Sequence, residues 1–192
     1  MSTIATPKER VLAAALDEFA QHGIAGARVD RIARAARTSK ERVYAYFRSK
    51  EELYAAVAAD QLQQIMDSTV LDPADLPGYV GELFDFYLEH PELLRLAGWS
   101  RLEPNEALVG LGEAGVASMR RKLDAIERGQ AEGVLDDAFE PIDVLMLLIH
   151  LSMGWLSAIE LHAFEDVTDP DVLARRRAAA VLAAERLFPP RR

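Results

Sequence analysis

Basic side chains are concentrated in one stretch near the start of the chain, where they suit contact with a polyanion. Between residues 28 and 50 only Asp30 and Glu41 are acidic. The basic residues of this stretch are Arg28, Arg31, Arg34, Arg37, Lys40, Arg42, Arg48 and Lys50. Neutralising nucleic-acid phosphates requires such a cluster, because each contact releases a condensed counterion. We therefore expect double-stranded DNA as a partner, although a solvated surface would carry similar charges.

The overall charge of the chain hides this cluster. The 192 residues carry a net charge of −9, yet residues 1–50 hold ten Lys or Arg and five Asp or Glu, a net charge of +5. The remaining residues, 51–192, carry a net charge of −14. This asymmetry predicts a basic contact surface joined to an acidic body.

Two short predicted helices and the turn between them carry most of the basic cluster. Apolar residues at Val29, Ile32 and Ala33 predict one helix over residues 29–36. The next begins after Ser39 and ends near residue 47. The turn between them is about four residues long, over 37–40, which is the spacing of a helix-turn-helix. In that motif the second helix is the recognition helix, which enters the major groove.

The rotation of the recognition helix follows from its apolar residues. Val43 and Phe47 are four positions apart, so they share a face and can pack inward. Basic side chains left outward can donate to guanine O6 and N7, and tyrosine hydroxyls can reach phosphates. Glu41 could accept from cytosine N4, or it could repel phosphates and pair with Arg37 or Arg42. Together with residues able to cap the helix, the expected DNA-contact set is Arg28, Thr38, Ser39, Lys40, Glu41, Arg42, Tyr44, Tyr46 and Lys50.

Helical periodicity continues through the rest of the chain, so the sequence predicts an all-α protein. We expect a three-helix head in residues 1–50 and a larger helical body in residues 51–192. The predicted helices cover about 7–21, 29–36, 40–47, 50–67, 78–89, 91–102, 106–130, 141–164 and 170–188. The apolar stretch 142–164 contains Asp143, His150, Glu160 and His162, which favours a buried helix over a membrane span.

The head resembles the N-terminal region of TetR-family transcriptional regulators over about residues 8–57. The likeness rests on Ile32-Ala33-Arg34-Ala35-Ala36, Ser39-Lys40, Val43-Tyr44-Ala45-Tyr46-Phe47 and Ser49-Lys50-Glu51-Glu52-Leu53. By this resemblance Tyr44 and Tyr46 fall on DNA-contact positions, and Lys50 on a phosphate-clamping lysine.

The chain also departs from the family pattern. Arg28 stands in place of a threonine, and Glu41 in place of a small residue. Ala45 stands where a histidine or another large residue is common. Arg37 stands in place of the turn glycine, so the turn is expected to be tighter or slightly displaced. These departures leave the operator sequence open.

The resemblance implies that the body binds a ligand and forms a dimer. Independently, helix 141–164 is apolar almost all round and carries a narrow polar stripe of Asp143, His150, Gly154 and Ser157. Together with helix 170–188 it could form a four-helix seam between two copies of the chain. His150 fits either a buried or interface role or a polar contact to a ligand.

Aromatic and methionine side chains of the body could line a cavity for a small apolar or amphipathic effector. Ordinary core packing would also bury them. The predicted ligand-binding set is Phe86, Trp99, Met119, Met146, His150 and Met153.

The sequence therefore predicts a ligand-responsive homodimeric repressor that binds a near-palindromic operator. The alternative is a DNA-binding protein of the same fold without a small-molecule inducer. We expect no enzyme activity, cofactor or metal, because the chain has no cysteine and lacks a Gly-rich phosphate loop, a serine elbow and metal-ligand spacing. The polar start, without a signal-peptide core, predicts a cytoplasmic protein.

Overall fold

The computed structural model describes residues 6–102, 112–158 and 163–189, and within these ranges it contains helices and no strands. The all-α prediction is confirmed. The helices are α1 (Pro7–Gly26), α2 (Val29–Ala35), α3 (Lys40–Tyr46), α4 (Lys50–Ser68), α5 (Leu76–Glu89), α6 (Pro91–Leu102), α7 (Gly112–Ala131), α8 (Pro141–Ser157) and α9 (Pro170–Leu187).

Local signals in the sequence explain both ends of α1. The Thr6 hydroxyl accepts from the Glu9 amide at 3.2 Å, and the Glu9 carboxylate accepts from the Thr6 amide at 2.7 Å. This reciprocal pair satisfies two amides that a helix start leaves without partners. The helix was predicted to end near residue 21, where a glycine at position 23 suits a stop, but Gly23 forms a kink with φ 64° and the helix continues through one more turn to Gly26.

The chain divides into two compact units that do not follow the expected boundary after residue 50. The first unit contains α1 to α3, most of α4, and α6; the second contains α5, α7, α8 and α9. Side chains explain why α4 belongs with the head. Leu53, Tyr54 and Val57 of α4 lie in the same apolar core as α1 to α3. The Tyr54 hydroxyl donates to the Leu96 carbonyl of α6 at 3.3 Å.

Helix α8 ends earlier than its apolar composition predicts. The expected helix over 141–164 stops at Ser157, and Ala158 has ψ 69°, outside the helical range. The Ser157 hydroxyl donates to the carbonyls of Met153 at 2.9 Å and Gly154 at 3.3 Å, which satisfies acceptors that a helix end leaves open. Residues 159–162 lie outside the described ranges, as do 106–111 of the predicted 106–130 helix. Within the described ranges, no helix has both the length and the apolar content needed to cross a bilayer.

A buried lysine joins three parts of the second unit. Lys122 of α7 donates to the Thr69 carbonyl at 3.2 Å, the Thr69 hydroxyl at 3.0 Å and the Tyr79 hydroxyl of α5 at 2.9 Å. All three partner groups are neutral, so none of these contacts supplies a carboxylate to offset the cost of burying the ammonium charge. Burial lowers the pKa of Lys122 from about 10.5 to about 8. It also raises the pKa of Tyr79 to about 12.

These pKa shifts predict an unusual dependence of stability on pH. Between about pH 8 and pH 10.5 the unfolded chain retains the Lys122 proton and the folded chain releases it, so stability rises with pH. From pH 7.5 to 9.5 the free energy of unfolding should gain about 1–2 kcal/mol relative to Lys122→Met, whose unbranched side chain lacks the terminal amine and cannot titrate. Urea denaturation at both pH values measures this difference. Equal pH dependence in the two proteins would show that Lys122 keeps an ordinary pKa.

Candidate nucleic-acid interface

The seven-residue helix α3 has the rotation that the sequence predicts. Val43 is 1% exposed and Phe47 is 4% exposed, so both point into the core of the first unit. Tyr44 and Tyr46 are 43% and 36% exposed. Lys40, Glu41 and Arg42 are exposed as well. The surface of α3 that faces away from the core is therefore basic and aromatic.

A buried carboxylate fixes the helix that supports α3. Glu18 of α1 accepts from the Arg28 amide at 2.8 Å and from the Arg31 Nε at 2.8 Å, which ties α1 to the start of α2. Burial acts to raise the pKa of Glu18, but the hydrogen bonds from Arg31 and the Arg28 amide outweigh it and lower the pKa. Arg31 is thus a positioning residue for α2. The Arg28 side chain remains exposed, as the predicted contact requires.

The turn between α2 and α3 contains a left-handed arginine. Arg37 has φ 53° and is the only described non-glycine residue with positive φ. Its amide donates to the Arg34 carbonyl at 3.2 Å, and the Thr38 amide donates to the Ala33 carbonyl at 2.9 Å. Arg37 thus occupies a conformation that glycine adopts without strain and other L-residues adopt at a cost.

Polar side chains at the start of α3 act within the head. The Ser39 hydroxyl accepts from the Arg42 amide at 3.3 Å, which confirms Ser39 as a cap; Thr38 is half-buried beside it. The pKa of Glu41 is lowered by hydrogen bonds from the Glu41 backbone amide and from the Ser39 side chain. Glu41 is therefore an ionised group at the helix start, where it favours helix formation.

Both lysines of the predicted DNA-contact set already have partners in the head. The Lys40 Nζ lies 3.1 Å from the Asp30 carboxylate, and this contact raises the pKa of Lys40. The Lys50 Nζ donates to the carbonyls of Ala25 at 3.4 Å and Ala27 at 3.3 Å, at the end of α1. The charge of Lys40 is therefore partly offset by Asp30, whereas the Lys50 ammonium is held against the carbonyls at the end of α1.

Three exposed arginines near α3 lie outside the predicted contact set. Arg34, Arg37 and Arg48 are exposed, and their guanidinium groups make no ion pair within the described residues. All three belong to the basic cluster visible in the sequence. Because phosphate contacts also come from segments beside a recognition helix, these arginines are further candidates for contact with DNA.

The predicted ligand-binding residues are divided between the two units. Trp99 belongs to the first unit, where its indole Nε1 donates to the Ala20 carbonyl at 3.1 Å. The other five lie in the second unit. Met146 and His150 are exposed on α8, and Phe86 is half-buried with its ring 4.5 Å from that of His90. Met119 is half-buried and Met153 is buried.

Comparison with known proteins places this architecture in a family. Residues 11–57 match the profile described as "Bacterial regulatory proteins, tetR family", and residues 75–186 match "Tetracyclin repressor-like, C-terminal domain". The second match alone spans more than half of the chain. The chain belongs to the TetR family.

Individual relatives agree with this assignment. The chain is 41% identical over 145 residues, 76% of each sequence, to the HTH-type transcriptional repressor SCO4008 of Streptomyces coelicolor. It is 27% identical over 143 residues to the repressor NicS of Pseudomonas putida, covering 68% of this chain and 66% of NicS. The crystal structure of the transcriptional regulator SCO4942 of Streptomyces coelicolor is 49% identical, with a TM-score of 0.83 over 96% of this chain and 99% of that one. This TetR-family protein is a DNA-binding transcriptional regulator, a class that is not enzymatic.

Arg37 offers a direct test of the interface. We expect its side chain to contact a phosphate, because it is exposed beside the recognition helix of this TetR-family regulator. Arg37→Gly should relieve left-handed strain and raise the free energy of unfolding by up to about 1 kcal/mol. It should also weaken operator binding and lower the salt slope by about 1. Chemical denaturation and fluorescence anisotropy at several salt concentrations measure the two effects.

The matched variant Arg37→Lys keeps the charge and the left-handed cost. It should bind DNA nearly as well as the original protein without the gain in stability. If Arg37→Gly binds with unchanged affinity and salt slope, Arg37 makes no phosphate contact.

Proposed function

We propose that this regulator is a homodimeric, ligand-responsive repressor of a near-palindromic operator. The observation that carries the DNA-binding part is the rotation of α3, with Val43 and Phe47 buried and Tyr44 and Tyr46 exposed. An α-helix presented in this way fits the major groove of B-DNA. Two copies related by a two-fold axis would present two such helices, so the half-sites should be inverted repeats.

Base recognition is assigned to the first turns of α3. Arg42 is exposed there, and its guanidinium can donate two hydrogen bonds to guanine O6 and N7. Lys40 and Tyr44 lie beside it on the same helix. Tyr46, farther along α3, suits a phosphate, which carries no information about base identity.

The dimer seam is assigned to α8 and α9. Within one copy of the chain, Ile142 and Met146 of α8 are 49% and 43% exposed, and Leu182 of α9 is 44% exposed. His150 and Gly154 continue the α8 stripe at helical spacing and are exposed as well. A stripe with this apolar content is better buried against a second copy than left in water. His150 is then an interface residue, and its Nδ1 lies 2.7 Å from the Met146 carbonyl of its own helix.

An effector would act through the second unit. A small molecule that binds one arrangement of the dimer more tightly shifts the population toward that arrangement. If the recognition helices are then spaced so that they no longer match the two half-sites, the affinity for DNA falls by linkage. The predicted effector is small and apolar or amphipathic.

Selection of bound sequences from a random DNA pool tests base recognition. Arg42→Ala should relax the preference at one or two base pairs of each half-site and cost about 1–3 kcal/mol of binding free energy. Tyr46→Phe should weaken binding without changing the preferred sequence, because it removes a phosphate contact. An identical motif from Arg42→Ala and the original protein would exclude Arg42 from base recognition and leave Lys40 or Tyr44.

Gly154 allows the seam to be tested without disturbing the monomer. A Cβ added there meets nothing within 4 Å in the single chain, and the same is true of Gly98 in α6. Gly154→Arg should therefore fold but yield monomers, since the new side chain and its charge would enter the seam. Gly98→Arg is the matched control and should remain dimeric. Sedimentation velocity distinguishes these results, and an intact Gly154→Arg dimer would place the seam elsewhere.

A further inference from the structure

An apolar cleft in the second unit contains one arginine, whose guanidinium contacts both a tryptophan ring and a carboxylate. The cavity volume of this cleft, taken as the space open to the centres of water-sized molecules, is about 80 Å³, and one side of the cleft opens to solvent. Its apolar walls are Phe84 of α5, Trp155 and Leu156 of α8, Val167 of the α8–α9 connection, and Val172 and Leu173 of α9. Glu165 and Arg176 supply its charged edge. None of the residues that the sequence suggested for ligand binding lines this cleft.

The guanidinium of Arg176 is held on two sides. Its Cζ lies 4.1 Å from the centre of the Trp155 ring, a distance at which a cation is attracted to an aromatic face. The Nε donates to the Glu165 carboxylate at 2.8 Å, and an Nη donates to the same oxygen. The hydrogen bonds between the two side chains lower the pKa of Glu165 and raise that of Arg176, so both stay charged at neutral pH.

The two partners differ in how firmly each is held. Arg176 lies in the middle of α9, an 18-residue helix, and is stacked on Trp155. Glu165 lies outside the helices, between α8 and α9, next to Phe164, which is 82% exposed. Glu165 is itself 30% exposed, so its carboxylate can turn into water at little cost. The position of Arg176 is therefore fixed by the fold, whereas Glu165 is an exchangeable partner.

We propose that this cleft binds a small apolar molecule that bears one carboxylate, and that the ligand carboxylate replaces Glu165 on Arg176. The apolar part would lie against Trp155 and the aliphatic walls, while the guanidinium receives the anion in a bidentate geometry. A single-ring or short-chain organic acid has this chemistry. A cationic ligand would instead have to displace the Arg176 guanidinium from both Trp155 and Glu165.

The cleft shares its walls with the proposed dimer seam, since both use α8 and α9. A link between ligand binding and the dimer rests on the proposed function. Displacement of Glu165 would remove its contact with α9, and this change could pass along α9 to the seam. The binding step itself concerns the second unit alone and can be measured without DNA.

Three isosteric probes separate the possible charges of the ligand. Benzoate, benzamide and benzamidine share one ring and differ in carrying an anion, a neutral amide or a cation. The full chain, labelled with ¹⁵N, gives one indole N–H signal from each of its two tryptophans. We expect benzoate to shift the Trp155 signal and not the Trp99 signal. Its affinity should be about tenfold or more above that of benzamide and benzamidine, as a charge-assisted bidentate contact implies.

Variants at the charged edge locate the site. Arg176→Gln should abolish the preference for benzoate over benzamide, whereas Arg175→Gln, an exposed neighbour on the same helix, should keep it. Glu165→Gln should tighten benzoate binding several-fold, because it weakens the internal competitor. If the ion pair were purely structural, benzoate binding would not tighten in this way. Glu165→Gln therefore keeps the test decisive even if Arg176→Gln folds poorly.

The proposal would be overturned if benzoate binds no more tightly than benzamide, or does not bind at all. Equal effects of Arg175→Gln and Arg176→Gln would overturn it as well. Operator binding by the ligand-free protein is measured separately. Its loss would contradict the proposed repressor function, whereas intact operator binding with no benzoate site would contradict this inference alone.

Discussion

The burial of Val43 and Phe47 is the interaction on which the DNA-binding surface depends. Helix α3 has only seven residues, and a helix of this length is not stable by itself in water. Its existence and its rotation therefore come from packing against the core of the first unit. That core also contains residues of α4 and α6, so the recognition helix rests on a five-helix unit. Any change that lets Val43 or Phe47 leave the core would also rotate the outward side chains away from the groove.

Electrostatics acts within this frame in two separate ways. Some of the basic cluster stabilises the head: Arg31 is bound to Glu18, and Lys50 binds carbonyls at the end of α1. Others face solvent without an ion pair in the described part of the chain, among them Arg28 and Arg42. Counting basic residues in the sequence therefore overstates the charge available to DNA. The left-handed Arg37 places a cation just before α3 at a position where glycine would be unstrained.

The sequence predicted the head well because its signals are local. The spacing of Val43 and Phe47 predicted the rotation of α3, and the start of α1 lies at the predicted residue 7. The limits of the head were predicted less well, because the burial of Tyr54 against Leu96 depends on contact between residues 42 positions apart. For the body, the sequence predicted that it is helical but not which of its side chains contact one another. Its cleft depends on the Glu165–Arg176 contact, and its buried Lys122 depends on Thr69 and Tyr79, none of which composition or periodicity can pair. The choice of Phe86, Trp99 and the methionines as a ligand set rested on residue type alone, and Trp99 lies in the other unit.

A crystal structure of the dimer on a selected operator would test the central claim most directly, because the claim concerns which face of α3 meets DNA. We predict the Arg42 guanidinium within about 3.2 Å of a base edge in the major groove and the Tyr46 hydroxyl within the same distance of a phosphate oxygen. Val43 and Phe47 should remain in the core of the first unit, away from the DNA. A complex in which α3 lies outside the major groove, or in which Val43 or Phe47 contacts the bases, would contradict the account.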